Sequence, residues 1–338
     1  MDLQQWQARL EALDPQRIQP GLERVAAVYA RLDPQLDCRT VVIGGTNGKG
    51  SAVAALEALL RAQGARVGAY TSPHLQKFNE RVRYQGRDLN DTDLCAAFAV
   101  VERAVESCCA AVDLTYFEFT TLAALWALAQ KKPDFLLAEV GLGGRLDAVN
   151  ILDADISAVT GVALDHTEWL GADLESIGFE KAGIYRAGRP AIYAAASPPR
   201  SLLRHLTKIG AVPYVRGAEI QMHPAAGELQ IEMQLPSDQR IACTVPQSMP
   251  PESLLAALAA FHLLGFTLDD AAREHLAAVH LPGRYQRIRI GATDAVLDVA
   301  HNPQAAGYLA ARLQRDFPAG LAAIFGCLRD KPLPQLCA

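Results

Sequence analysis

The sequence predicts an α/β protein: a mainly parallel, doubly wound sheet carrying a phosphate loop, with a small antiparallel patch and a second, incomplete Rossmann-like α/β domain. Three observations lead there. Short apolar runs rich in β-branched residues alternate with helical ones from Thr40 to about residue 195. The segment "TVVIGGTNGKGS" (40–51) passes from such a run through a glycine-rich turn into a helix. Past residue 228 the alternation becomes polar–apolar, and Pro282 and Gly283 then punctuate the chain before a fresh strand–helix–strand pattern.

Thr40, Val41, Val42 and Ile43 have no polar alternation, as expected of a strand buried on both faces. Gly44 and Gly45 break it. From Ser51 a helix sets Val53, Leu56, Leu59 and Leu60 on one face and stops at Gly64. "RVGAYTS" is a strand, "DTDLCAAFAVVERAVE" a helix with Asp91 as N-cap, and "TTLAALWALAQKK" another helix. "DFLLAEV" and "DISAVTGVAL" are buried strands, "LESIGFEKAGIYR" a helix and "PAIYAA" a strand. "ELQIEMQL" and "QRIACTV" form the antiparallel patch. Helices follow over 252–264 and 268–279, then "AVLDVA", "QAAGYLAARLQR" and "GLAAIFG" as strand, helix and strand. The domain boundary falls at "LPGR": residues 1–282 form a first domain, which carries the glycine-rich loop, and 283–338 a partial second one.

Composition narrows the function. The chain has 338 residues, half of them hydrophobic, enough for a large core. A net charge of −5 gives no reason to expect nucleic acid or an anionic membrane as partner. The N-terminal "MDLQQWQARLEALDPQ" lacks a secretion pattern, and "LLAALAAFHLLGF" from Leu254 is too short to span a bilayer. Seven scattered cysteines without a C-x-x-C pair suit a reduced, cytoplasmic protein, with adjacent Cys108 and Cys109 as packing residues.

The chemistry concentrates at strand ends, where parallel sheets gather their ligands. The loop 44–50 holds four glycines, more than a plain connection needs, and its backbone N–H groups and the following helix N-terminus suit an anion. It departs from G-x-x-x-x-G-K-[ST], because Ile43 takes the first glycine position and Gly50 separates Lys49 from Ser51. Thr71 and Ser72 end the second strand, Glu139 the strand "DFLLAEV", and Asp165 with His166 the strand "TGVAL". An acid ending an apolar strand is where nucleotide enzymes hold magnesium, so Glu139 is the metal candidate; the plainer alternative is an ion pair with an arginine. "GLGGRLD" fails as a dinucleotide motif, since Leu146 occupies the third glycine position; it reads as a tight loop bringing Arg145 and Asp147 toward a substrate. His166 is as consistent with a structural histidine as with a ligand. Lys181 looks like a surface lysine unless it loses its proton and reacts with CO2 to give a carbamate, an oxygen ligand.

"GGTNGKGS", "YTSPHL", "ERVRYQG", "LTYFEFTTLAALW", "EVGLGGRLDAVN", "LDHTEWLG", "EKAGIYR", "LPGRYQ" and "DVAHNP" together resemble the dihydrofolate synthase/folylpolyglutamate synthase family of the ATP-dependent Mur ligase superfamily, from about Gly21 to Lys331. "GTNGKGS" is similar to that superfamily's own phosphate loop, which accounts for the inserted glycine. The resemblance implies ATP phosphates on Thr46, Asn47, Gly48, Lys49 and Gly50, with Ser51 at the first turn of the helix. It implies Mg2+ at two sites on Ser72, Glu139, His166 and Lys181, the last matching a lysine carbamylated in the family. It implies pterin contacts at Gln19, Pro20, Gly21, Thr115, Phe117, Arg145 and Leu146, and nucleotide contacts at Arg284, Asp298 and His301. Lys49, Lys181 and His166 would carry catalysis.

The implied reaction adds L-glutamate to dihydropteroate and to the γ-carboxylate of folates through an acyl phosphate, in a monomer. Two departures stand out. Glu252 occupies the place of an asparagine near the nucleotide, and the chain stops at Ala338, where the family continues through further strands and helices. A non-catalytic nucleotide-binding protein is therefore the alternative. A peptidoglycan-precursor ligase would need a sugar-nucleotide domain ahead of Gly44, and a transport or motor ATPase leaves "LTYFE" and "DVAHNP" unexplained.

Overall fold

The structure, a computed structural model, describes residues 1–108, 112–225, 227–235, 239–327 and 333. Two helices lead, α1 (Leu3–Glu11) and α2 (Glu23–Leu32). Then come β1 (Arg39–Gly44), α3 (Lys49–Ala62), β2 (Val67–Tyr70), β3 (Val82–Tyr84), β4 (Arg87–Asp88), α4 (Asp91–Glu106), α5 (Tyr116–Gln130) and β5 (Phe135–Glu139). The chain continues through β6 (Ile156–Val159), α6 (Thr167–Leu170), α7 (Leu174–Ala182), β7 (Pro190–Tyr193), α8 (Arg200–Ile209) and β8 (Val212–Val215). These strands form one eight-stranded sheet in the order β4-β3-β2-β5-β1-β6-β7-β8, parallel from β2 to β8, with β3 and β4 antiparallel at one edge.

Alternation of side chains explains why the central strands carry no polar residues. Val41 and Ile43 of β1 face one apolar cluster and Val42 the other; Phe135 and Leu137 of β5 oppose Leu136 and Ala138 in the same way. One face is covered by α1, α2, α4 and α5, including a ring cluster of Trp6, Phe98 and Phe119. The other is covered by α3, by α9 (Pro251–Leu263) and α10 (Asp270–Ala277), and by a three-stranded antiparallel sheet of β9 (Ile220–Ala225), β10 (Glu228–Gln234) and β11 (Arg240–Pro246). The patch expected from "ELQIEMQL" and "QRIACTV" thus gains a third strand, and β10 buries Leu229, Ile231 and Met233 while its alternate residues face outward.

Several local expectations are corrected. Helix α3 is buried on every side from Ser51 to Leu60 rather than along one stripe, because α9 packs over the side that would otherwise meet water. The N-cap of α4 is Asn90, whose side chain accepts the Asp93 N–H; Asp91 lies inside the first turn. Helix α5 starts at Tyr116, ahead of "TTLAALW", because Thr115 and Glu118 form a capping box. Cys108 lies beyond α4 and packs against the core, while Cys109 falls outside the described residues.

After "LPGR" the chain forms an antiparallel hairpin, β12 (Gln286–Ile290) and β13 (Thr293–Leu297), then α11 (Pro303–Asp316). "AVLDVA" therefore pairs with its immediate predecessor instead of opening a parallel sheet. "GLAAIFG" is not a strand: no ladder partner lies beside residues 320–326 among the described residues, and a lone extended segment has no hydrogen bonds to hold it. No described helix is long and apolar enough to cross a membrane.

Candidate functional site

The carboxyl ends of β1, β2, β5 and β6 meet at one rim of the large sheet. Register makes this happen: Ile43 pairs with Glu139 across the β1–β5 ladder, and Gly44 with Val159 across β1–β6. A cavity of about 150 Å³ opens there, lined by Thr46, Asn47, Gly48, Lys49, Ser72, Glu139, Asp165, His166 and Lys181, with Arg284 and His301 from the C-terminal segment. A larger cavity of about 750 Å³ adjoins it and shares Asn47, Gly48 and Arg284 as walls. Ser51, Glu252, Tyr285, Asp298, Tyr308 and Arg312 line this second space.

The loop geometry accounts for the odd spacing of its glycines. Gly45 (φ +138°) and Gly48 (φ +79°) lie where L side chains are strained. A Cβ on Gly45 would lie 1.9 Å from Thr160 Oγ1, and one on Gly48 2.4 Å from Ser253 Oγ. Gly50, the inserted glycine, meets Glu139: a Cβ there would stand 3.3 Å from Oε2. A side chain between Lys49 and Ser51 would crowd the buried Glu139 carboxylate, which would have to give by a few tenths of an ångström. Ser253 Oγ donates to the Gly48 carbonyl and Thr160 Oγ1 to that of Asn47, so the loop is braced from α9 and from the end of β6.

Lys49 opens α3, with Nζ donating to the carbonyls of Gly45 (3.1 Å) and Thr46 (3.2 Å). Burial pushes its ammonium below the ordinary lysine range, partly opposed by the Glu139 carboxylate. Glu139 is 5 % exposed and accepts the Ser72 N–H at Oε2. Burial raises its pKa, with Lys49 pulling the other way. Lys181 in α7, expected on a helix surface, is 3 % exposed; burial first, then repulsion from Lys49, brings its amine down to about 7. His166 adopts a left-handed backbone (φ +50°) as it leads into α6, with its side chain partly exposed at the cavity wall.

The donor set suits a hard divalent cation that keeps water and phosphate oxygens in its shell: one buried carboxylate, a serine and an imidazole around an open space. No group of three or more His, Cys, Asp or Glu side chains able to hold a metal is present among the described residues. Such a site would bind magnesium together with a phosphate-bearing ligand rather than in a closed protein cage.

A second strip flanks the small cavity. Gln19 accepts from Arg17 through its side chain and from Arg24 through its carbonyl; Arg24 pairs with Glu118, which caps Thr115. Thr115 is itself an N-cap, with its hydroxyl engaged by the Glu118 N–H. Phe117 is tilted against Tyr70, with ring centroids 6.4 Å apart, and lies so close to Gly141 that a Cβ on that glycine would sit 2.5 Å from the ring. The turn "GLGGRLD" wraps Asp147 inward, where it accepts the Leu142 and Val149 N–H groups and burial raises its pKa to about 6. Arg145 points to Glu180 and lies over Phe179. Gln19, Pro20, Gly21, Thr115, Phe117, Arg145 and Leu146 line neither cavity, so the strip and the rim are neighbouring surfaces.

In the C-terminal segment Asp298 accepts the Tyr285 and Ala300 N–H groups, and His301 Nε2 lies 3.5 Å from Asp165. Glu252 pairs with Arg216. Nothing along the chain marks Ser253, Tyr308 or Arg312 as cavity-lining residues, because they come from helices whose only signal is apolar periodicity.

No protein-family model matches the chain. The dihydrofolate synthase/folylpolyglutamate synthase of Escherichia coli (strain K12) is 41% identical over 343 residues, covering 98% of this chain and 77% of that protein. The chain belongs to the dihydrofolate synthase/folylpolyglutamate synthase family. The Haemophilus influenzae member is 36% identical over 351 residues, covering 97% of this chain and 78% of its own length. The chain thus spans about three-quarters of these relatives. Among solved structures of the family, E. coli FolC in complex with DHPP and ADP superposes with a TM-score of 0.91 at 39% identity, over 100% of this chain and 80% of that one. A bifunctional folylpolyglutamate synthase/dihydrofolate synthase with Mn, AMPPNP and L-glutamate bound gives 0.90 at 40% identity, with the same coverage.

Proposed function

We propose that this chain is an ATP-dependent ligase that adds L-glutamate to dihydropteroate and to the γ-carboxylate of folates. The observation that carries the reading is the convergence of the phosphate loop, Glu139 and Lys181 on one small cavity that opens into a second of about 750 Å³. Phosphates would lie on the amides of Thr46 to Gly50, with Lys49 beside them and Ser51 in the first turn of α3. The larger cavity would take the nucleoside between Glu252, Arg284 and Asp298, with His301 at its inner edge. The strip from Gln19–Gly21 through Thr115 and Phe117 to Arg145–Leu146 would take the pterin.

A carboxylate is a poor electrophile. Its oxygen would attack the terminal phosphorus of ATP, breaking the bond to ADP and giving an acyl phosphate. The glutamate amine would then attack the acyl carbon, expelling phosphate and leaving an amide. Lys49 would offset charge on the transferring group. Ser72, Glu139 and His166 would hold one magnesium ion, and a carbamate on Lys181 would supply oxygen ligands for a second; such ions neutralise phosphate charge and orient the acceptor. An amine brought near 7 by burial is substantially neutral at physiological pH, which carbamate formation requires.

The reading includes a first domain of residues 1–282 and a second beginning at 283. It also includes a cytoplasmic monomer without nucleic-acid partners, in keeping with scattered cysteines and a net charge of −5. The test measures ADP release with dihydropteroate and tetrahydrofolate side by side, with and without glutamate. Lys49→Ala and Glu139→Ala are each expected to abolish glutamate-dependent turnover; near-normal rates in either variant would overturn the assignment.

A further inference from the structure

Asn302 precedes α11 and is the only buried polar side chain after residue 282 among the described residues, at 2 % exposure. Every hydrogen-bonding position of its amide is used. Nδ2 donates to Asn47 Oδ1 (2.8 Å) and to Asp165 Oδ2 (3.0 Å). Oδ1 accepts from Asn47 Nδ2 (3.0 Å) and from the Ala305 N–H (3.0 Å) that it caps. The Ala305 N–H fixes the orientation, since a flipped amide would set donor against donor. Asn47 Nδ2 also donates to Gln304 Oε1 at 2.7 Å. One side chain therefore ties the start of α11 to the phosphate loop and to the polar turn after β6.

We infer that Asn302 is a positioning residue that locks the segment carrying Arg284, Asp298 and Tyr308 onto the phosphate loop, so that the nucleotide cavity has both its walls. This rests on the function proposed above. The chemistry singles out asparagine: the contact with Asn47 needs a donor and an acceptor in one plane, and the contact with Asp165 needs a second N–H. Aspartate keeps the cap but lacks both donors and sets a carboxylate against Asp165. Serine keeps the cap and stays neutral but is too short to reach Asn47.

The test compares wild type with Asn302→Ser and Asn302→Asp, both of which retain an N-cap acceptor. For both, kcat/KM for ATP is expected to fall at least tenfold, more steeply for Asp. KM for dihydropteroate and the melting temperature should change little. Hydrogen exchange should accelerate together in residues 44–51 and 302–306. A residue that only caps α11 predicts near-wild-type kinetics in both variants, and acceleration confined to 302–306; either result overturns the lock. Should wild type itself show no glutamate-dependent turnover, the proposed function fails, and the paired exchange response still decides the role of Asn302.

Discussion

Two buried lysines set the electrostatics of the site, and they do so in opposition. Lys49 has Glu139 as counter-charge, whereas the effect of Lys49 on Lys181 is repulsive. A folded-state pKa near 7 against an unfolded one near 10.5 means that the unfolded chain binds more protons between those values. Stability contributed by this group is full above about 10.5 and is lost as pH falls toward 7. The urea midpoint of the apo protein is therefore expected to rise from pH 7 to 9, and Lys181→Met should flatten that rise. An unchanged slope in the variant would show that the amine is solvated. Glycines 45, 48 and 50 act at the same scale: each leaves room for one named group, Thr160, Ser253 or Glu139.

Among the elements, α9 serves both the core and the site. It is buried along ten consecutive residues from Ser253 to His262, fills the face of the sheet beside α3, and presents Ser253 to the phosphate loop. A helix apolar on all sides belongs in a core. Leu258→Ala, at a position with 0% exposure, is expected to cost about 2–5 kcal/mol in chemical denaturation through lost burial and a residual cavity. A change well below that range would mean the neighbouring helices collapse into the space. Capping residues form a second group. Thr115 and Asn90 fix where α5 and α4 begin, so the pterin-side candidate Thr115 also has a plain structural duty.

At the scale of the molecule, both apolar clusters draw their residues from positions up to 279, while α11 buries none of its own. The hairpin and α11 add walls to a cavity more than they add core. Residues 1–282 alone are accordingly expected to unfold cooperatively with most of the stability of the whole chain, and to lose ADP affinity at least tenfold in calorimetry. Retained affinity would place the nucleotide site wholly within the first segment.

The sequence by itself determined the strand–loop–helix unit, the alternation that builds a parallel sheet, and the order of motifs that marks the family. These are local patterns of apolarity, glycine and charge, legible wherever neighbours along the chain dictate conformation. Tertiary structure alone decided that Lys181 is buried, that Gly50 lies against the Glu139 carboxylate, and that Asn302 meets Asn47 across 255 residues. Each depends on which strands lie side by side and on what an amide or carboxylate meets once water is excluded, and no spacing along the chain encodes that.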